Sequence, residues 1–445
     1  MTVQLDTLLK SPAEPSSEMT TNTPPAEQPA RCPVDHKALL AQALSAQKTV
    51  RVPIAQGQAI EQDAAGVWHI HSYEAAKSIL RSDYTKQAGF GAELFDRIPG
   101  QMRPPVLYQE GEAHLQQRTQ IARFFTPRTT STRYRQLMEA LSDQMIAQLR
   151  KAGRADLSKL SMKLAVGVAG QVVGLTNSRL PGMDRRLNAF FAHSDAQATQ
   201  ATQATTATAG GLLTRIGKLL SQWRVALFFY MDVQPAIAAR RRQRQEDVIS
   251  HLLDSGYSDS EILIECITYA AAGMATTREF ISVVAWHLLE NPSLHQQYLN
   301  GSDEERNRLL QEALRLEPVI GNLRRRATAD IHLEHNGQAI TIPSGALIDL
   351  NIVNTNLDEE VVGEQARRLC PERQLKGERV PPAMMSFGDG HHRCPGAYIA
   401  IQETDIFLQR LLRVDGLRIA QEPTLSWSEL TKGYELRNFM VTVDR

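Results

Sequence analysis

A mainly α-helical fold carrying small β-sheets is what this sequence predicts, and three observations predict it. Apolar residues at helical spacing, bounded by helix start and stop signals, fill most of the chain beyond residue 72. One long helical run carries no charge between Glu265 and Arg278, the mark of a helix buried all round. Asn336-Gly337, set between alternating apolar positions in IHLEHNGQAITIP, is a hairpin signal for one of the small sheets.

The 445 residues hold 49 basic and 49 acidic side chains, so no global field favours nucleic acid or an anionic membrane. The four cysteines, Cys32, Cys266, Cys370 and Cys394, form neither a CxxC pair nor a zinc spacing, which fits a reducing, cytoplasmic compartment. Residues 1–31 are rich in Pro, Ser, Thr and Glu and read as a disordered tail without a signal peptide. No apolar run is long enough to span a membrane. Residues 32–445 read as a single catalytic domain, since no internal boundary is visible.

The elements follow in order. Residues 48–72 read as short strands, and SYEAAKSIL as a helix capped by Ser72. Residues 86–108 carry scattered Gly and Pro and read as a long loop. HLQQRTQIARFF is helical and stops at Thr126-Pro127. Residues 194–211 are low-complexity Ala, Thr and Gln, without the large apolar residues that anchor a helix, so they read as a mobile linker or lid. Ser258 and Glu261 make a capping-box pattern that opens the uncharged helix. That helix runs about 32 residues, or about 48 Å, to Asn291-Pro292. Its middle, AAAGMATT, is small enough for something flat and bulky to come close. A helix containing EALRLEP, the hairpin, and a final strand over ELRNFMVTV complete the chain.

The chemistry concentrates in FGDGHHRCPG, Phe387 to Gly396. Cys394 has four readings: a disulfide half, a nucleophile beside His391 or His392, a structural cysteine, or a metal ligand. One thiolate cannot close a zinc site, but it can hold a heme iron, whose ring supplies the other ligands. Gly388, Gly390 and Gly396 allow close backbone approach to a flat ring. Backbone N–H groups and the N-terminus of the helix that follows would favour the sulfur anion, and Phe387 could shield it.

The loop resembles the heme-binding signature of the cytochrome P-450 family, F-x-x-G-x-[HR]-x-C-x-G, through Phe387, Gly390, His392, Cys394 and Gly396. The order of the other motifs strengthens the resemblance. Glu312 and Arg315 match the family's E-x-x-R helix, which locks the core beneath the heme. Asn356-Leu357-Asp358 and Pro371-Glu372-Arg373 fall in its meander, with Leu369-Cys370 where the family has Phe. The resemblance covers residues 48–445 and implies the cytochrome P-450 fold, heme b, and Cys394 as iron ligand. It implies that His114, Arg118, Arg325 and His392 hold the propionates, with Arg324 and Arg326 within a one-residue slip.

The uncharged helix resembles the family's oxygen-binding helix, [AG]-G-x-[DE]-T-T. Gly273 and Thr276 are present, but Ala275 stands in place of the acid. A hydroxyl relays protons yet is no source at neutral pH, so an acid or a water chain must resupply it. Glu279, one turn on, is a candidate, with pairing to a basic residue as its alternative. The resemblance implies a soluble, bacterial-type monooxygenase that activates O2 with two electrons from separate partners. These are a ferredoxin or flavodoxin and an NAD(P)H reductase, since no flavin or reductase domain is visible. Ala271, Ala272, Val319, Ile320 and Tyr434 are substrate-pocket candidates. A roomy site points to hydroxylation or epoxidation of a bulky apolar molecule of secondary metabolism. The missing acid leaves a peroxide-driven or non-oxygenating coupling or rearrangement enzyme as the alternative, although the Arg-Pro pair of peroxide-using members is absent. A heme-based sensor ranks behind both.

Overall fold

The structure is a computed structural model describing residues 47–49, 58–92, 102–189, 222–429 and 431–444. The N-terminal tail, Cys32 and the Ala-Thr-Gln stretch at 194–211 lie outside the described residues.

The strands are β1 (Ile60–Gln62), β2 (Trp68–Ile70), β3 (Thr85–Gln87), β4 (Arg154–Asp156), β5 (Asn322–Ala327), β6 (Ile331–His335), β7 (Gln338–Ile342), β8 (Leu347–Asn351), β9 (Arg418–Gln421), β10 (Thr424–Ser428), β11 (Gly433–Arg437) and β12 (Met440–Thr442). The largest sheet has the order β1-β2-β8-β5-β3. Only β2 and β8 run parallel in it. The predicted hairpin is β6–β7, with Asn336 at φ 50° and Gly337 at φ 76°, as its two-residue turn requires. The final strand is two strands. Asn438, at φ 59°, breaks the run, so β11 pairs with β10 while β12 pairs with β9 and β4.

The helices that position the site are α1 (Tyr73–Arg81), α2 (Gly111–Ala122), α3 (Arg135–Ala152), α4 (Leu157–Val173), α5 (Asp259–Tyr269), α6 (Thr276–Glu290), α7 (Asp303–Leu316) and α8 (Ala397–Leu411). Ser258 opens α5 with the expected capping box, its N–H donating to Glu261 Oε2 at 2.8 Å. Ser72 precedes α1 but makes no side-chain cap; Asp358, far along the chain, accepts the Tyr73 N–H at 2.8 Å instead.

The uncharged run is not a single regular helix. Ala270–Ala275 forms a π-helical segment between α5 and α6. Small residues there leave little side-chain packing to hold the tighter turn, and such bulges gather at functional sites. None of the described helices is long and apolar enough to cross a membrane.

Two apolar clusters hold the molecule. The larger lies among the helices and includes Tyr134, Met138, Leu164, Val283 and Phe407. The smaller lies under the main sheet, where Ile70, Ile79, Ile348 and Leu350 meet Met384 and Met385. The Cys394 loop follows directly on those two methionines.

Candidate heme-thiolate site

The Cys394 loop is built by turns that its glycines permit. Gly388 and Gly390 have φ of 66° and 63°, where a side chain is strained. At Gly390 a Cβ would also overlap the Leu80 carbonyl oxygen, so the loop docks backbone-to-backbone on the end of α1. Arg81 and Asp389 pin the same junction, Nε to Oδ2 at 2.9 Å. The Cys394 N–H donates to the Phe387 carbonyl at 2.8 Å, closing the loop beneath the sulfur.

Cys394 is a free, solvent-accessible cysteine, although protein atoms crowd round it, so it opens on a cleft. Burial pushes its thiol up, opposed by the N–H of Gly396, by Arg118 and Arg393, and by the N–H of Ala397. The loop alone therefore does not hold a thiolate, as the sequence had suggested. A coordinated metal cation deprotonates a thiol outright, and the N–H groups already aimed at the sulfur then stabilise the anion.

The four residues expected to hold carboxylates converge. His114 and Arg118 share one face of α2, and the His114 ring stacks on His392 with centroids 4.1 Å apart. Arg118 donates to the Arg393 carbonyl. Buried Arg325 lies on β5 opposite Gln87 of β3 and donates to the Gln87 side chain. Its neighbours face away: Arg324 approaches Asp349 at 3.5 Å and Arg326 donates to the Gly345 carbonyl at 2.9 Å. Burial lowers Arg325 to about 10 and His114 to about 4, with His392 and Arg118 adding to the latter. Arg325 stays charged in a desolvated position, whereas His114 is neutral at pH 7; an anionic ligand would raise both.

One member of this cluster was not foreseen. Glu110, just ahead of α2, spends its carboxylate on His392 Nε2 at 3.0 Å and on the Gln87 N–H at 2.6 Å. Burial is the largest influence and raises its pKa, but the hydrogen bond and charge of His392, the Gln87 N–H and Arg325 together outweigh it, and the net shift is downward. In sequence it passes for a helix-start acid.

Glu312 and Arg315 form a buried double contact on α7, with Nε to Oε2 at 2.7 Å and Nη2 to Oε1 at 2.8 Å. Arg373 Nε and the Cys370 N–H both reach Glu312 Oε1 at 3.0 Å. Arg315 donates to the carbonyls of Asn356 at 2.8 Å and Arg368 at 3.2 Å. Asn356 in turn accepts the Met385 N–H at 2.9 Å, which anchors the entry to the cysteine loop.

In the π segment Ala272 is exposed, while Ala271, Gly273, Ala275 and Thr276 are half-buried. The Thr276 hydroxyl donates to the Ala272 carbonyl at 2.6 Å. Glu279 is not beside it. It is buried, accepts from Arg278 Nε and Arg437 Nη1, each at 2.7 Å, and from the Leu436 N–H at 2.8 Å. Two guanidinium groups and a strand amide hold it toward β11, so its role is to tie α6 to that strand. Tyr434 and Val319 are buried. Both lie in the packed core, and the Tyr434 hydroxyl donates to the Glu317 carbonyl at 3.3 Å. Ile320 stays half-buried.

A second unforeseen acid joins the two halves of the site. Glu403 on α8, the helix after Cys394, accepts a hydrogen bond from Thr277, the neighbour of Thr276. Its signal was legible: an acid between Ile399 and Phe407 on one apolar helical face.

A flat ring carrying a metal and two carboxylates fits this donor set: one accessible sulfur, a cluster of two arginines and two histidines able to donate to carboxylates, and a wall of small residues. Among the described residues no group of three or more His, Cys, Asp or Glu side chains could hold a metal ion by itself.

Comparison with known proteins agrees. The family model described as Cytochrome P450 matches residues 306–418, the span holding Glu312, Arg315 and Cys394. The "Biotin biosynthesis cytochrome P450" of Bacillus subtilis (strain 168) is 26% identical over 368 residues, covering 79% of this chain and 84% of its own. The "Nocardicin C N-oxygenase" of Nocardia uniformis subsp. tsuyamanensis is 26% identical over 370 residues, covering 80% and 84%. The solved structure of a mutant of P450 EryK in complex with erythromycin B shares the fold at a TM-score of 0.66 and 21% identity, covering 91% of this chain and 96% of that one. With the fold, the motif order and these relatives in agreement, the chain belongs to the cytochrome P450 family and is a monooxygenase that works with heme iron.

Proposed function

We propose that the chain binds heme b through Cys394 and inserts oxygen from O2 into a bulky apolar molecule of secondary metabolism, by hydroxylation or epoxidation. Its electrons come from separate proteins, a ferredoxin or flavodoxin and an NAD(P)H reductase. The observation that carries this reading is the gathering of the His114–Arg118–Arg325–His392 cluster about the Cys394 loop, where His114 stacks on His392 and Arg118 acts on the sulfur, with α6 packed against α8.

Heme bound to a thiolate supplies reductive activation of O2 and transfer of an oxygen atom. The chain's own residues supply the rest. Gly396 and Ala397 N–H groups hold the Cys394 sulfur, and Arg118 lies within electrostatic reach of it. His114, Arg118, Arg325 and His392 would hold the propionates, and Glu110 already accepts a hydrogen bond from His392. Thr276, bonded back to Ala272, keeps lone pairs free to accept a proton for relay. Ala271, Ala272 and Ala275 carry no bulky side chain, which would leave room for a large substrate on that side of the site. The N-oxygenase relative, named for nocardicin C, supports a secondary metabolite as substrate.

The test is an optical spectrum of the reduced protein under carbon monoxide, then product analysis with NAD(P)H and redox partners over a panel of bulky natural products. A thiolate-type band lost in Cys394→Ala, with reductant-dependent product, is expected. A band that survives Cys394→Ala sinks the assignment of the ligand. Ala275 favours one second reading, a peroxide-driven enzyme; product formed with peroxide alone, and none with reductant, would select it.

A further inference from the structure

We propose that Glu265 and Gln117 form a carboxylic acid–amide pair, two hydrogen bonds side by side, and that this pair sets the position of α2 against the oxygen helix. The inference goes beyond the reading above and rests on the propionate role given there to His114 and Arg118. Glu265 on α5 is 1% exposed and Gln117 on α2 is 6% exposed. Gln117 Nε2 donates to Glu265 Oε1 at 2.9 Å. The second oxygen of each side chain, Glu265 Oε2 and Gln117 Oε1, has no partner among the described residues. Two bare acceptors buried on one bonded pair are costly, because each has lost its water without a replacement. One proton corrects both. Carried on Oε2 and donated to Gln117 Oε1, it completes a ring of two hydrogen bonds and leaves Oε1 to keep the Val106 N–H at 3.0 Å.

The surroundings favour that proton. Burial raises the Glu265 pKa to about 7, opposed by the Gln117 and Val106 hydrogen bonds, and no cation among the described residues pairs with it. The titratable groups that face it are Tyr257, just before α5, and Cys266 and Tyr269 on α5 itself. Burial, and next the Glu265 charge, raise all three, so none is a counter-ion. Nearby charges are spent elsewhere. Arg103 donates to the Ser255 carbonyl at 3.0 Å and lies over the Tyr257 ring, while Glu261 accepts the Arg103 N–H at 2.9 Å. Arg118 donates to the Arg393 carbonyl. From α4 and from Phe229–Val233, which also pack on α5, Lys159 pairs with Asp156, Lys163 with Gln148 and Asp232 with Arg186. The positioning follows from what the pair joins. Gln117 lies between His114 and Arg118 on α2, so holding it holds both propionate donors at one level on the oxygen helix. Glu265 also anchors the chain that leads into α2. Pro104 and Pro105 have no N–H to give, and the amides on either side of them, at Arg103 and Val106, go to Glu261 and Glu265. As pH rises through about 7, the shared proton leaves to water and α2 keeps one hydrogen bond to Glu265 in place of two.

The experiment follows the holoenzyme and its Glu265→Gln and Glu265→Leu variants from about pH 6 to about pH 8.5, by infrared difference spectra in H2O and D2O and by the rate of heme loss to an excess of scavenger. The wild type should show a protonated-carboxyl band at the acid end that fades as pH rises and that both variants lack. Its heme loss should quicken about 10-fold over the same range, the worth of one buried hydrogen bond. Glu265→Gln replaces the ring by an amide–amide pair with the same two bonds. It should keep the slow rate at every pH, a rescue that a merely space-filling side chain would not give. Glu265→Leu should lose heme fast throughout, and Gln117→Leu does the same work should Glu265→Leu fail to fold. A wild type without the band at the acid end, as when the unpartnered Tyr269 hydroxyl donates to an ionised Glu265, overturns the pair. Equal pH dependence of heme loss in the wild type and Glu265→Gln overturns the positioning role. Heme loss unchanged by His114→Ala and Arg118→Ala, with the band still present, would instead overturn the propionate reading on which the inference rests.

Discussion

Glu312 and Arg315 sit one turn apart on α7 and close a buried double contact, and between them they bind four further groups: Arg373, the Cys370 N–H and two carbonyls. The pair is therefore the hub joining α7 to the segment that delivers the Cys394 loop. Removing one charge leaves the other buried without its partner, which costs about 3–5 kcal/mol. Glu312→Gln should lower the melting temperature and the heme retained on purification. Arg315→Lys keeps the charge but has no planar fork to span the carboxylate and both carbonyls. It should also lose heme, and full retention there would show that charge alone holds the hub.

Glu279 gives a contrasting prediction. Because its carboxylate holds Arg278, Arg437 and the Leu436 N–H, Glu279→Gln should destabilise by roughly 3–5 kcal/mol, the range for a broken buried pair. In the protein that remains folded, product per reductant should match the wild type. Denaturant unfolding and coupling measurements on the same preparation separate the two. Lost coupling without lost stability would return Glu279 to the proton path.

These two acids also mark what the sequence made legible. The signature loop, the E-x-x-R helix, the H-x-x-x-R helix, the capping box and the hairpin all rest on spacing within a short window, and each appears where expected. What spacing could not reveal was which way a side chain turns when its partner is distant. Glu279 shares a helical face with Thr276 by count, yet the π segment and the Arg437 strand settle its direction. Asp358 caps α1, and Glu110 spans to His392, across separations no local pattern encodes. Glu403 is different, since an acid within an apolar helical stripe is itself a local pattern.

Gly390 is the strictest test of the loop's docking. Its φ of 63° strains any side chain by roughly 1–3 kcal/mol. A methyl group would also collide with the Leu80 carbonyl, which is backbone and cannot swing away. Gly390→Ala should therefore displace the loop from α1 and lower heme occupancy, read as the ratio of Soret to protein absorbance. Gly396→Ala makes the control, because φ there is negative and the nearest atom to an added Cβ is Cys394 Sγ at 4.0 Å. It should bind heme more fully than Gly390→Ala, and equal loss in the two would discount the docking argument.

Glu265 links the oxygen helix to the loop before α2 and should write itself into the pH dependence of stability. It is buried at the core, and its Oε1 accepts from the Val106 N–H at 3.0 Å and from Gln117 at 2.9 Å, while Oε2 has no partner among the described residues. Burial raises its pKa to about 7, against the two hydrogen bonds, from the ordinary 4.5. The folded state thus holds this proton more tightly than the unfolded state. Its contribution is fully present below about pH 4.5 and is lost as pH rises through about 7. The loss amounts to about 3 kcal/mol at 1.36 kcal/mol per unit. Glu265→Gln keeps an oxygen to accept both hydrogen bonds and removes the titration. Unfolding free energies measured from pH 5 to 8 should therefore fall less steeply in the variant than in the wild type, and the variant should be the more stable at pH 8. Parallel slopes would mean that Glu265 is ionised in the folded protein and that the cavity around Oε2 is wet enough to solvate its charge.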